Sequence, residues 1–150
     1  MNSERMAQSR LLTCVVADQW LALPVDHLSE VVTPQVRTKI PLSTSSVNGL
    51  INLRGKILTE LDMLKILNLP AREDESTCRT IILESGDEGE SFGLTVDSVG
   101  EVIDIEPEAF ERTPDSLEAK WKSVCHGVLK QDDRILVMLD VEKVITLSLP

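Results

Sequence analysis

The sequence predicts an all-β protein with a few short helices, and three observations carry that expectation. Ten short segments rich in β-branched and aliphatic residues are spread along 150 residues, most of them bounded by Gly, Pro, Asn or Asp. Helical periodicity is confined to short stretches, too short to organise a fold. Two of the segments, Leu11–Val16 and Ile135–Leu139, are apolar on both faces. A strand at the rim of a solvated sheet alternates, so these two belong between packed layers, for example between two small barrels.

The elements follow in chain order. Leu11–Ala17 and Trp20–Val25 read as the first two strands, Asp26–Glu30 as a possible single turn of helix, and Glu30–Thr33 as a third strand. Gly49–Leu53 runs into a tight turn around Arg54-Gly55, and Lys56–Leu61 leaves it. Gly55 accepts a positive φ that other residues resist, and the Asn52 side chain can satisfy turn amides. Asp62 is placed to cap a short helix over Met63–Leu67, with Asn68 as the left-handed residue after it and Pro70 just beyond. Thr80–Glu84 and Phe92–Val96 flank a Gly86…Gly89 turn, and Gly100–Ile105 follows. Ser116–Ser123, entered after Pro114, permits another helix. Val124–Leu129 and Ile135–Asp140 flank the polar turn Lys130–Arg134. No repeat recurs at a solenoid period.

The length suits one domain or two very small ones, with enough chain to bury a core unaided. The formal net charge is −10, and residues 71–110 account for it, with twelve acids against two bases. Runs such as Arg72-Glu73-Asp74-Glu75-Ser76 read as solvated turns. The balance argues against nucleic acid as a partner, since that needs a basic face to displace counterions. Two Trp, two Phe and no Tyr make a base-stacking platform hard to build. Cys14, Cys78 and Cys125 are odd in number and widely spaced, which points to a reducing compartment rather than a disulfide framework. The N-terminus leads into no signal-type stretch, and no apolar run approaches the ~20 residues that span a bilayer. The expectation is a cytoplasmic protein with no direct membrane insertion.

Catalytic chemistry is poorly served. His27 and His126 are the two imidazoles, and the adjacent Cys125-His126 would point to opposite faces of a strand. Metal ligands at short spacing are lacking, as are phosphate-cradling glycine motifs, so no cofactor or metal is expected. Asp62, Asp97 and Asp140 each border an apolar segment. They read as caps or turn anchors, with a small β-barrel hydrolase using Asp62 or Asp97 as the competing reading.

The most specific stretch is Gly49-Leu50-Ile51-Asn52-Leu53-Arg54-Gly55, continuing through an apolar strand to Leu61-Asp62-Met63. It resembles the Gly-x-x-Asn-Leu-Arg-Gly hallmark of the CheW family, the coupling proteins of bacterial chemotaxis. Upstream, Trp20–Val25 and Leu28-Ser29-Glu30-Val31 resemble the family's second strand and its Val-x-Glu-Val turn, and Pro41-Leu42 its loop proline. Downstream, Phe92-Gly93-Leu94-Thr95-Val96-Asp97-Ser98-Val99 is similar to its Gly-hydrophobic-x-Val-Asp-x-Val. Gly127-Val128 through Asp140–Val144 resembles its closing hairpin and last short helix. The likeness covers about residues 10–145.

The resemblance implies one domain made of two interlaced five-stranded SH3-like barrels that share an apolar core. It implies no enzymatic activity. It implies an adaptor that binds the regulatory domain of a CheA-type histidine kinase through one surface and a chemoreceptor cytoplasmic tip through another, in a groove between the barrels. Carried over residue by residue, the receptor side is Arg54 and Glu30, close enough to pair, with Leu28 and Val31 lining the groove. Gly49, Asn52, Gly55, Asp62, Gly93, Asp97 and Gly127 are the structural motif positions. There are departures. The family's Pro near Thr59 and Gly near Asn68 are missing, and Glu60 stands where an aliphatic residue is usual, which burial would make costly without a partner. These mark a divergent member and keep open a CheW-like module of a variant pathway such as pilus-based motility.

Overall fold

The computed structural model describes residues 10–41, 45–85 and 90–148. The first nine residues, Leu42 and the Gly86…Gly89 turn lie outside them. The strands are β1 (Arg10–Val16), β2 (Gln19–Pro24), β3 (Leu28–Val32), β4 (Arg37–Thr38), β5 (Val47–Leu53), β6 (Lys56–Asp62), β7 (Arg79–Ser85), β8 (Glu90–Val96), β9 (Ser98–Asp104), β10 (Phe110–Glu111), β11 (Cys125–Gln131) and β12 (Arg134–Leu139). The helices are short: α1 (Met63–Ile66), α2 (Ala119–Lys122) and α3 (Val141–Ser148), with 3-10 turns at Val25–His27 and Pro107–Ala109. The single helical turn read over Asp26–Glu30 therefore sits earlier, and Glu30 lies inside a strand.

The strands form two sheets. One has the order β10-β11-β12-β2-β1-β9 and the other β3-β7-β8-β6-β5-β4. Each holds five long strands, as expected, and each gains a two-residue edge strand, β10 or β4, that the sequence did not reveal. The N-terminal hairpin β1–β2 joins the sheet of the C-terminal strands, so the chain leaves the first sheet after β2 and re-enters it at β9. The second sheet is one continuous run of chain, β3 to β8, set between the two parts of the first.

Alternation along the strands separates three apolar clusters. Leu12, Cys14 and Val16 of β1, Leu21 and Leu23 of β2, and Val137 and Leu139 of β12 meet Leu61, Ile81, Leu83 and Leu94 of the other sheet in a shared central core. The opposite faces of the same strands, with Leu11, Ala22, Leu136 and Met138, pack with Leu129, Ile103 and Phe110 of their own sheet. Ile51, Leu58 and Ile82, with Val32 and Leu53, do the same in the second sheet. A sheet face that packs on residues of its own sheet has to curl, which gives each sheet its barrel character. The doubly apolar strands are thereby explained, because one face fills the shared core and the other a barrel interior. Each fully buried Leu here is worth about 2 kcal/mol over an exposed one.

The two sheets repeat one plan. A hairpin (β5–β6 or β11–β12) is followed by a helix, and its second strand pairs in parallel with a strand of another hairpin, β6 with β8 and β12 with β2. Gly49 and Gly127 occupy the same place in the two hairpins, at φ 147° and 148° beside a shift in register. A Cβ on Gly49 would lie 2.5 Å from the Thr38 carbonyl oxygen, and one on Gly127 would lie 2.4 Å from the Phe110 ring. These are the points where the two-residue edge strands press closest, which accounts for both motif glycines. Gly93 serves close packing as well, since an added Cβ would come within 2.8 Å of Thr80 Cγ2.

The three cysteines are free and buried. Burial, reinforced by the Asp97 charge, pushes the Cys14 thiol up to about 12. Cys14 is expected to stay unmodified by a thiol reagent at pH 8 in the folded protein and to react on addition of denaturant. Mass mapping of the labelled peptide checks this.

Candidate partner-binding site

The β5–β6 turn is a two-residue connection in which Leu53 pairs with Lys56. Arg54 and Gly55 both have positive φ, 53° and 86°. This geometry matches the twist of the flanking strands and favours Asn-Gly, so an arginine at the first position is strained. The Gly55 N–H donates to Asn52 Oδ1 at 2.9 Å, which satisfies the turn amide as the sequence suggested.

From this turn the Arg54 side chain reaches back to β3. Its Nη1 and Nη2 donate to Glu30 Oε2 and Oε1 at 2.5 and 2.7 Å, a fork-to-fork pair. The hydrogen bonds from Arg54 hold the Glu30 carboxyl below its usual 4.5. The pair is at the surface, with the Arg54 side chain 70% exposed and that of Glu30 30%. The two apolar candidates beside it differ. Leu28 is half-buried against the shared core, whereas Val31 is 37% exposed. The structure thus brings together an exposed apolar residue of β3, a fixed ion pair and the β5–β6 turn, from opposite ends of the strand order of the second sheet. It can present a mixed apolar and charged surface to a partner.

The acids read as caps do that work. Asp62 accepts from the Leu64 N–H at 2.9 Å and caps α1, and Asp140 accepts from the Lys143 N–H at 3.2 Å at the start of α3. Asn68 takes the left-handed position after α1, at φ 56°. This is why the family's glycine is dispensable there. Asp97 accepts from the Ala17 N–H at 2.8 Å. Arg72 spans both acids, with Nη1 and Nη2 on Asp62 at 2.9 and 3.0 Å and Nε on Asp97 at 2.9 Å. Acids committed to caps and to one arginine are not a hydrolytic pair, and the hydrolase reading falls. Cys125 is buried while His126 is exposed and meets the Phe110 ring in a tilted contact at 5.7 Å between centroids, so the two do not form a dyad.

Two arginines escaped the sequence reading. Arg72 belongs to a run read as a solvated turn. Glu73, Asp74 and Glu75 are exposed as expected, but the Arg72 side chain is only 10% exposed. Arg37, on β4, donates from Nε and Nη2 to Glu60 at 2.6 and 3.0 Å. Glu60 is buried at 1% exposure and also accepts from Thr95 Oγ1. Burial alone would raise its pKa, but Arg37, Thr95 and Asn48 outweigh that and hold it below its ordinary 4.5. The misplaced acid has its partner, on an edge strand too short to show a period. Among the described residues no group of His, Cys, Asp and Glu could hold a metal ion, and no helix is long and apolar enough to cross a membrane.

Comparison with known proteins agrees with this architecture. The chain is 29% identical over 143 residues to the chemotaxis protein CheW of Thermotoga maritima, covering 95% of this chain and 91% of that one. It is 26% identical over 145 residues to the CheW of Bacillus subtilis, covering 97% and 92%. The crystal structure of the scaffolding protein TtCheW from Thermoanaerobacter tengcongensis superposes with a TM-score of 0.78 at 30% identity, over 88% of each chain. The family model of the CheW-like domain matches residues 10–148, and the chain belongs to that family.

Proposed function

We propose that this chain is a non-enzymatic adaptor of chemotaxis signalling, coupling chemoreceptors to a CheA-type histidine kinase in the cytoplasm. It works as one unit, because the strands of one barrel are split in sequence by the whole of the other and the two share an apolar core. The observation that carries the reading is the Arg54–Glu30 pair, held on a strained turn beside the exposed Val31. A residue kept in an unfavourable backbone region, with its side chain fixed at the surface, fits a recognition role better than a packing role. Arg54 and Glu30, flanked by Leu28 and Val31, form the receptor side and receive the helical tip of a receptor. The kinase regulatory domain docks elsewhere. The adaptor's contribution is then an equilibrium coupling between two bound partners rather than chemistry.

The test is binding of the purified protein to the regulatory domain of the cognate kinase and, separately, to a receptor cytoplasmic fragment, each by size-exclusion chromatography. Kinase-domain binding is expected to survive Arg54→Glu and Glu30→Arg, while receptor-fragment binding drops at least about tenfold. Wild-type protein that binds neither fragment overturns the adaptor reading. Loss of both bindings in a folded variant overturns the separation of the two faces.

A further inference from the structure

The described chain passes between the sheets twice, from β2 to β3 and from β8 to β9. At the second crossing stands Asp97, tied on both sides. Towards the first sheet, its N–H donates to the Val15 carbonyl at 3.0 Å and its Oδ2 accepts from the Ala17 N–H at 2.8 Å in the β1–β2 turn. Towards the second sheet, its carbonyl accepts from Thr77 Oγ1 at 3.0 Å and its Oδ1 from Arg72 Nε at 2.9 Å. Arg72 in turn grips Asp62 at the end of β6 with both terminal nitrogens, at 2.9 and 3.0 Å. An unbroken polar chain therefore runs Ala17–Asp97–Arg72–Asp62 from one barrel to the other. The corresponding cap of the first sheet, Asp140, carries no such arginine among the described residues.

The apolar core shared by the barrels is non-directional and tolerates small rotations, whereas a forked arginine on two carboxylates fixes distance and angle together. We infer that Arg72 is a positioning residue, a latch that sets the mutual orientation of the two barrels and releases when either carboxylate arm is lost. Two like charges facing one another across the vacated arginine would push the crossing apart rather than leave it idle. The inference concerns the free protein and stands whether or not the adaptor reading does.

The experiment is a spin-label distance measurement between the barrels, on full-length protein without partners. Labels go on Ile57→Cys in β6 and Ile135→Cys in β12, both exposed, at 57% and 47%. Wild-type background is expected to give one narrow distance distribution. Arg72→Gln and Asp97→Asn are each expected to broaden or shift it, and Arg72→Gln to speed hydrogen exchange of the Ala17 amide by about tenfold or more. Asp97→Asn keeps an oxygen for that amide and leaves the Asp62–Arg72 pair intact, so it decides the matter if Arg72→Gln does not fold. A narrow, unshifted distribution in folded Asp97→Asn overturns the latch. A wild-type distribution in Arg72→Lys would also overturn it, because an ammonium cannot reproduce the planar two-nitrogen grip on Asp62 together with the Nε contact on Asp97.

Discussion

Replacing Arg37 with alanine is expected to lower the stability of the protein by about 3 kcal/mol, although most surface substitutions change little. The reason is Glu60, which is 1% exposed and held by Arg37 at 2.6 and 3.0 Å. Removing the arginine leaves a buried carboxylate with Thr95 and Asn48 as its remaining partners. The other barrel shows how the same place is filled without charge. Arg37 pairs with Ile51 as Phe110 pairs with Leu129, and Glu60 sits in its hairpin where Met138 sits in the other. Phe110 and Met138 belong to the apolar interior of the first barrel. The double replacement Arg37→Phe/Glu60→Met is therefore expected to lie within about 1 kcal/mol of wild type, while each single replacement is destabilising. Urea unfolding of the four proteins closes the cycle. Additive losses in the double variant would show that the two side chains act independently.

The same pair has a pH signature. Glu60's folded pKa lies below its ordinary value of 4.5. The unfolded chain therefore takes up a proton first as pH falls, and the stability contributed by the pair is complete above about pH 5. It is lost as pH drops through the folded value, and the Arg37→Phe/Glu60→Met protein is expected to lose less stability over that acid range than wild type.

Arg54→Glu is expected to abolish receptor coupling while leaving the fold intact. The substitution places a second acid against Glu30, and both side chains are at the surface, so repulsion reorders the edge without opening the core. Arg54→Asn sharpens the expectation. Asparagine suits the left-handed backbone at φ 53° better than arginine, so this variant should melt at the same temperature or a few degrees higher and still fail to couple. The charge swap Arg54→Glu/Glu30→Arg should restore the pair but not the wild-type arrangement of charge, and so recover folding without full coupling. Kinase activity in reconstituted receptor arrays, read beside thermal melts, checks all three. Unfolding of Arg54→Glu would make Arg54 a structural anchor instead.

Much of this molecule is written locally. The two-residue turn at Arg54-Gly55 with its Asn52 brace, the Asp62 cap, the left-handed Asn68 and the doubly apolar strands all depend on residues within a few positions of one another. Such signals survive in a sequence read alone. The family motifs added the pairing of Arg54 with Glu30, because the resemblance supplied the long-range neighbour. What only the tertiary structure decided are the contacts with no local signature. β4 and β10 are two residues long and show no period. Arg37 meets Glu60 because an edge strand pairs with β5, two strands away from Glu60, and Arg72 leaves an acidic surface run to hold Asp62 and Asp97 at a crossing between sheets. A charged side chain reads as solvated in sequence whenever its partner lies far along the chain, because burial of a charge is a property of the pair and not of either residue.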